Sequence, residues 1–197
     1  MNPKIEKLIK MFARLPRVGN RAATRIVLSL LADKTGKANQ LAENLTEVSA
    51  TIHPCAICGV LTDAEQCEFC RDVSRQNGTL CVVRDMSDVW TLEKSSVFNG
   101  RYHIIGGVLS GVSGTTPADL NISGLPARIK NENITEIIFA LPNTIEGKTT
   151  ANYIMSVVDD NENVTFTELA SGVPLGGDLD YIDDGTLTLA LKGRKKL

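Results

Sequence analysis

Four of the five cysteines in this 197-residue chain fall in two pairs, Cys55-Ala56-Ile57-Cys58 and Cys67-Glu68-Phe69-Cys70, spaced C-x2-C-x8-C-x2-C. Two such knuckles can close a tetrahedral four-thiolate site, the donor set zinc takes in structural roles. Four thiolates leave no open coordination position, so hydrolytic zinc chemistry is not expected. The expected cofactor is one structural zinc ion per chain, whose binding energy becomes folding energy for a module with little apolar core. The other chemistries open to this text are a disulfide pair, a redox-active C-x-x-C and an iron–sulfur cluster. The first is disfavoured in a reducing compartment, and the second more usually stands alone at a helix start. His53, two residues before the first cysteine, is read as a surface or capping residue. Cys81, in the apolar run Leu80-Cys81-Val82-Val83, is read as a small buried hydrophobe.

The second chemistry is cationic. Residues 1–37 hold nine Lys and Arg against Glu6 and Asp33, while the remainder carries a net charge of −9. A basic arm on an acidic body suggests a surface for an anionic partner, with nucleic acid the leading candidate. Ile5, Leu8, Ile9, Phe12 and Leu15 recur at helical spacing, and Lys4, Lys7, Lys10 and Arg14 fall on a separate arc. A second helical pattern runs from Arg21 to Leu31. Between them lies Leu15-Pro16-Arg17-Val18-Gly19-Asn20-Arg21. Proline stops the first helix, glycine permits a turn and Asn20 can cap the second helix. Backbone N–H groups at a helix start attract phosphate, and Arg17, Arg21 and Arg25 would hold the same track. The segment resembles a helix-hairpin-helix DNA-binding motif, whose usual hairpin is Leu-Pro-Gly-Val-Gly; here Arg17 replaces the first glycine. The expected DNA contacts are Lys10, Arg14, Arg17, Gly19, Arg21 and Arg25. The competing reading is a helical hairpin used for oligomerisation, and the two can coexist.

Two further features invite chemistry and do not sustain it. Gly147-Lys148-Thr149 lacks the glycine a P-loop needs five positions before Gly147, where Pro142 stands. His103, beside Tyr102, has no nucleophile near it by motif, so a structural role at a strand end is expected.

The elements that must position these groups are helical first and α/β afterwards. Ala38, Leu41, Leu45, Val48 and Ile52 predict a third helix that packs on the first two. Strands are predicted at Leu80–Val83, Tyr102–Ile105, Ile134–Leu141 and Val164–Thr167. Helices are predicted at Ser87–Lys94, with Val89, Trp90 and Leu92 partly packing, and at Thr149–Val158. This alternation implies a largely parallel sheet, with function gathered in the loops after its strands. Gly172 to Gly177 reads as a loop. The apolar run around Leu187, Leu189 and Leu191 reads as a short helix or strand that packs on the body or on a neighbouring subunit. The basic end, Arg194 to Lys196, reads as solvated. Composition is that of a globular chain, 43% hydrophobic and 22% charged. No apolar run reaches membrane-spanning length and no secretory signal is evident, so a cytoplasmic protein without membrane contact is expected.

The loops carry the most specific text: Arg84-Asp85-Met86-Ser87-Asp88, Tyr102-His103-x-x-Gly106-Gly107, Asn143-Thr144-Ile145-Glu146-Gly147, and Gly172-x-Pro174-x-Gly176-Gly177. With the hairpin and the four cysteines, this order resembles the RecR family of bacterial recombination mediators, from about residue 3 to Arg194. The resemblance implies a helix-hairpin-helix region over 1–53, a four-cysteine zinc finger over 54–72, a Toprim domain over 79–173 and a C-terminal oligomerisation segment over 174–197. It implies a DNA repair and recombination mediator, an oligomeric clamp and most often a tetramer. Such a clamp acts with the RecO and RecF proteins to help load RecA recombinase onto single-stranded DNA. It also implies sequence-indifferent binding to single- and double-stranded DNA. Catalytic Toprim enzymes hold magnesium with a glutamate after the first strand and an Asp-x-Asp pair after the third. Here Arg84 occupies or adjoins the first position, and Asn143 and Glu146 stand in the third-strand loop. Asp178-Leu179-Asp180 matches the pair but lies far beyond that strand. The expectation is a non-catalytic scaffold, with Asp85, Asp88 and Glu146 as partner contacts or as a weak magnesium site. The rivals are a magnesium-dependent enzyme that cuts or joins DNA, and a pure adaptor without DNA contact.

Overall fold

A computed structural model describes residues 1–158, 163–174, 176 and 178–194. The chain divides into two compact units, Met1–His53 and Pro54–Leu197.

In the first unit, α1 (Pro3–Phe12) begins where Asn2 accepts the Lys4 N–H, with proline at the start. Helix α2 (Asn20–Ala32) packs against α1 through Ala23 and Val27, which meet Ile9 in the small core of this unit. Leu15 falls outside α1, because the residue before Pro16 is steered away from helix, and it is exposed. Helix α3 (Lys37–Thr51) meets α2 and lines a groove with α1 and α2, but it buries no residue fully. The face of α2 that meets α1 uses small side chains already in contact. The apolar stripe Leu41, Leu45 and Val48 stays accessible, with Leu41 and Leu45 facing Leu31 across the open groove.

The second unit is built on four parallel strands, β1 (Thr79–Val83), β2 (Arg101–Ile104), β3 (Glu136–Ala140) and β4 (Thr165–Glu168), in the order β2-β1-β3-β4. Register places Cys81 between Tyr102 and Ile138. Strand β1 is central and buried on both faces, which explains its unbroken apolar run. Its alternation sorts two cores. Leu80 and Val82 join the cluster with Ile129 of α6 (Leu125–Glu132) and Ile154 of α7 (Ile145–Val158). Cys81 and Val83 join the cluster with Val89 of α5 (Met86–Ser95) and the four paired cysteines. The cysteine module therefore belongs to the core of the sheet domain. Its second knuckle runs into a one-turn helix, α4 (Glu68–Arg71).

Helix α6 was not legible as an expectation. Its signal is a proline in the first turn, Leu125 and Ile129 four apart, and a left-handed Asn133 after its end. Helix α7 starts four residues earlier than predicted, so Glu146 to Lys148 lie in its first turn. Of the three α5 residues expected to pack partly, Val89 is buried against the sheet and Leu92 partly buried, while Trp90 is mostly exposed. The C-terminal apolar run is helical, α8 (Asp184–Lys192), capped by Asp183 and with no buried residue. Leu175, Gly177, Lys195 and Lys196, which fell in the predicted loop and basic end, lie outside the described residues.

Candidate nucleic-acid interface and metal centre

The hairpin between α1 and α2 is a tight one. Arg14 N–H reaches back to Met11, Leu15 N–H to Phe12 and Val18 N–H to Leu15, each three residues away. Arg17 takes a left-handed backbone, φ 62°, at the position where the usual motif has glycine. The turn is therefore kept, at a cost of roughly 1–2 kcal/mol, and gains a cation. Gly19, not Asn20, is the residue before α2, and no side chain caps the helix. Asn20 is already the first helical residue, so its amide cannot serve the expected role. The consequence is functional: the first N–H groups of α2 have no side-chain acceptor, and the space over Gly19 is open. Such a helix start has free N–H groups able to bind an anion.

Arg14, Arg17, Arg21 and Arg25 are all exposed, and none forms an ion pair among the described residues. Arg21 and Arg25 stand one turn apart at the start of α2, about 6 Å along its axis. Lys10 differs: its ammonium is 2.9 Å from Glu6.

The metal centre is assembled by local turns. Gly59 N–H donates to the Cys55 carbonyl and Cys55 N–H to the Val60 carbonyl, both at 2.8 Å. Gly59 has φ +78°, and a Cβ there would sit 3.0 Å from the Ile104 carbonyl, so glycine is required twice over. In the second knuckle Cys70 and Arg71 N–H both donate to the Cys67 carbonyl. All four cysteines are buried and their sulfurs lie within 4.8 Å of one another. Cys58 and Cys67 Sγ are 3.3 Å apart. A tetrahedral zinc with bonds of about 2.3 Å sets its sulfurs about 3.8 Å apart, so the donor set fits. The hydrogen bond between them pushes the Cys58 thiol up and holds the Cys67 thiol far down. His53 is not among the clustered ligands. Cys81 is buried, which pushes its thiol up to about 12.

The knuckles are held by the edge strand β2. Ile104 N–H donates to the Cys58 carbonyl at 2.7 Å, and the Arg101 guanidinium donates to the Cys70 carbonyl at 3.0 Å. Sequence reasoning missed this role of Arg101, and its partners Arg128 and Glu132. The i,i+4 spacing of the last two was the available signal; for Arg101 there was none. Arg101 and Arg128 both reach Glu132, each at 2.9 Å. Arg128 also donates to the Tyr102 carbonyl and to His103 Nδ1, while His103 Nε2 donates to the Asn121 carbonyl at 2.6 Å. These partners require a neutral imidazole with its proton on Nε2. Burial holds His103 down to about 4. His103 is thus a fixed structural group, as expected.

Of the Toprim-loop carboxylates, Asp85 and Asp88 are committed to α5. Asp85 caps it by accepting the Ser87 and Asp88 N–H groups, and Asp88 completes the capping box. Hydrogen bonds from Ser87, and then from Arg84 at 2.9 Å, hold the Asp85 carboxyl below its usual range. Glu146, half-buried at the start of α7, does not join them: among the described residues the cysteine quartet is the one group of three or more ligating side chains.

A Toprim domain model matches residues 78–170, and models for a helix-hairpin-helix and a four-cysteine zinc finger match 5–49 and 52–72. The class is a Toprim protein carrying both a hairpin and a zinc finger. The last two models are those of RecR, as is a third, for its C-terminal part, matching 172–195. Proteins named Recombination protein RecR are similar over nearly their whole length. That of Cereibacter sphaeroides is 47% identical over 192 residues, 98% of this chain and 96% of its own. That of Paracoccus denitrificans is 48% identical over 194 residues, 98% of this chain and 97% of its own. That of Rhodospirillum rubrum is 44% identical over 192 residues, 98% and 97% of the two chains. The chain belongs to the RecR family.

Proposed function

We propose that this chain is a DNA repair and recombination mediator without catalysis of its own, working as an oligomeric clamp on DNA. The observation that carries the reading is the uncapped start of α2, flanked by unpaired Arg14, Arg17, Arg21 and Arg25. Contacts of that kind go to phosphates, so binding weakens steeply with salt and is indifferent to sequence. Lys10 and Gly19 complete the DNA face. The domain division is the one the motifs imply, with boundaries at 53/54, 72 and 173. The zinc finger has a scaffolding role.

Oligomerisation is supported by two apolar surfaces that the described residues leave open. One is a groove lined by Leu8, Met11, Phe12, Leu30, Leu41 and Leu45. The other is α8, with exposed Leu189 and Leu191. A tetramer joined through both termini fits these. The partners implied by family are RecO and RecF, in the cytoplasm, and the task is to help load RecA on single-stranded DNA. No described helix is long and apolar enough to cross a membrane. The use of Asp85 and Asp88 as helix caps supports the non-catalytic reading and leaves Glu146 as a partner contact.

The test is fluorescence anisotropy of labelled single- and double-stranded DNA titrated with zinc-loaded protein at two salt concentrations. Salt-sensitive, sequence-indifferent binding is expected. No binding at low salt, with or without the RecO partner, would overturn the clamp. Magnesium-dependent DNA cleavage abolished by Glu146→Ala would overturn the non-catalytic reading.

A further inference from the structure

Among the described residues, the second unit buries two arginines, Arg101 and Arg128, and no carboxylate to the same degree. Arg101 and Arg128 share the one carboxylate of Glu132, and their side chains are 10%, 5% and 13% exposed. His103, the remaining titratable partner, is neutral. This triad carries a net positive charge away from water, and burying a charge without compensation is expensive. Arg101 Nε is also the one buried side-chain polar atom with no hydrogen-bond partner among the described residues. Asp72, whose carboxyl feels Arg101, is exposed and is taken up by Ser74 and Arg75, so it offers little.

The compensating charge is that of the cysteine quartet, whose Cys70 carbonyl accepts from the Arg101 guanidinium at 3.0 Å. Zinc with four thiolates carries two negative charges, in a core cluster that includes Tyr102 and Ile104 of the same strand as Arg101. That strand holds one knuckle at each end, Cys58 through Ile104 N–H and Cys70 through the Arg101 guanidinium. We propose that Arg101, with Arg128 and Glu132, is the counter-charge of the zinc centre, and that Arg101 is its positioning residue. The proposal rests on the zinc reading of the four cysteines. Outer-shell groups of this kind tune a metal site without touching the ion.

The experiment uses the full chain. Zinc affinity is measured by competition with a chromogenic chelator, and the thiolate-to-metal charge-transfer band is recorded on the cobalt-substituted protein. A four-thiolate cobalt spectrum in the unaltered chain is the prior check; its absence would remove the zinc reading itself. Arg101→Gln is expected to weaken zinc by roughly 10–100-fold and to move the charge-transfer band to longer wavelength, because thiolates without a neighbouring cation give up electrons more easily. Arg101→Lys keeps the charge and is expected to restore the band position and most of the affinity. An Arg101→Gln chain that folds with unaltered affinity and an unmoved band overturns the proposal. If Arg101→Gln does not fold, Arg101→Lys decides: a displaced band, zinc weakened more than tenfold, or failure to fold in saturating zinc overturns it.

Discussion

Replacing Arg21 and Arg25 together by alanine removes two of the four unpaired guanidiniums around the hairpin and touches none of its buried residues, Ile9, Ala23 and Val27. Both side chains are exposed and neither makes an ion pair, so folding should be unaffected. Each phosphate contact contributes about 0.9 to the slope of log affinity against log salt on duplex DNA and about 0.7 on single strands. Losing two contacts per engaged protomer should flatten the slope by about 1.8 on duplex and about 1.4 on single strands. At 0.1 M salt that is roughly a 60-fold loss on duplex DNA, shrinking towards none as salt approaches 1 M. The assay is anisotropy at four or more salt concentrations, with circular dichroism to confirm the fold. Lys10→Ala is the comparison: its ammonium already faces Glu6 at 2.9 Å, so its slope should fall by less than about 0.5. An unchanged slope in a folded double variant would refute the hairpin as the phosphate contact.

Three other outcomes rest on the geometry. Because His103 is held down to about 4 when folded and is near its ordinary value of 6.5 when unfolded, its neutral form stabilises the fold fully above pH 6.5. That contribution, of order 3 kcal/mol, is lost as pH falls from 6.5 towards 4; urea titrations at pH 7.5 and 5 should show it, and His103→Gln should flatten the difference. Gly147→Ala should destabilise the second unit by about 3 kcal/mol, read as a lowered melting temperature, since its Cβ would collide with the Pro142 carbonyl; wild-type melting would mean the α7 start can shift freely. Leu45→Glu should weaken self-association by about 2 kcal/mol per buried side chain, roughly 30-fold. Sedimentation that matches the parent chain would exclude this groove as an interface.

The residues by themselves determined what depends on local spacing. The four cysteines show their role in sequence because two turns of fixed length bring the sulfurs of each knuckle together, and Gly59 marks the first turn. The apolar run of β1 declares a strand buried on both faces, and the text Leu15 to Arg21 declares a hairpin, even with Arg17 in a left-handed conformation. Capping was less legible: Asn20 looked like the cap, yet the first turn had already begun and Gly19 holds that position. What stayed hidden depends on pairs far apart in the chain. Trp90 is apolar at helical spacing and still mostly exposed, and Leu41 and Leu45 of α3 line an open groove instead of a closed core, because period alone does not say how closely a face meets its partner. The carboxylates Asp85, Asp88 and Glu146 share a loop set in sequence, but two of them cap a helix and the third stands apart. Only the parallel register, which sets Arg101 of the edge strand against Cys70 and within reach of Glu132, created the buried charge beside the zinc ligands. No local pattern encodes it, because an arginine in a strand reads as solvent-facing until the tertiary fold covers it.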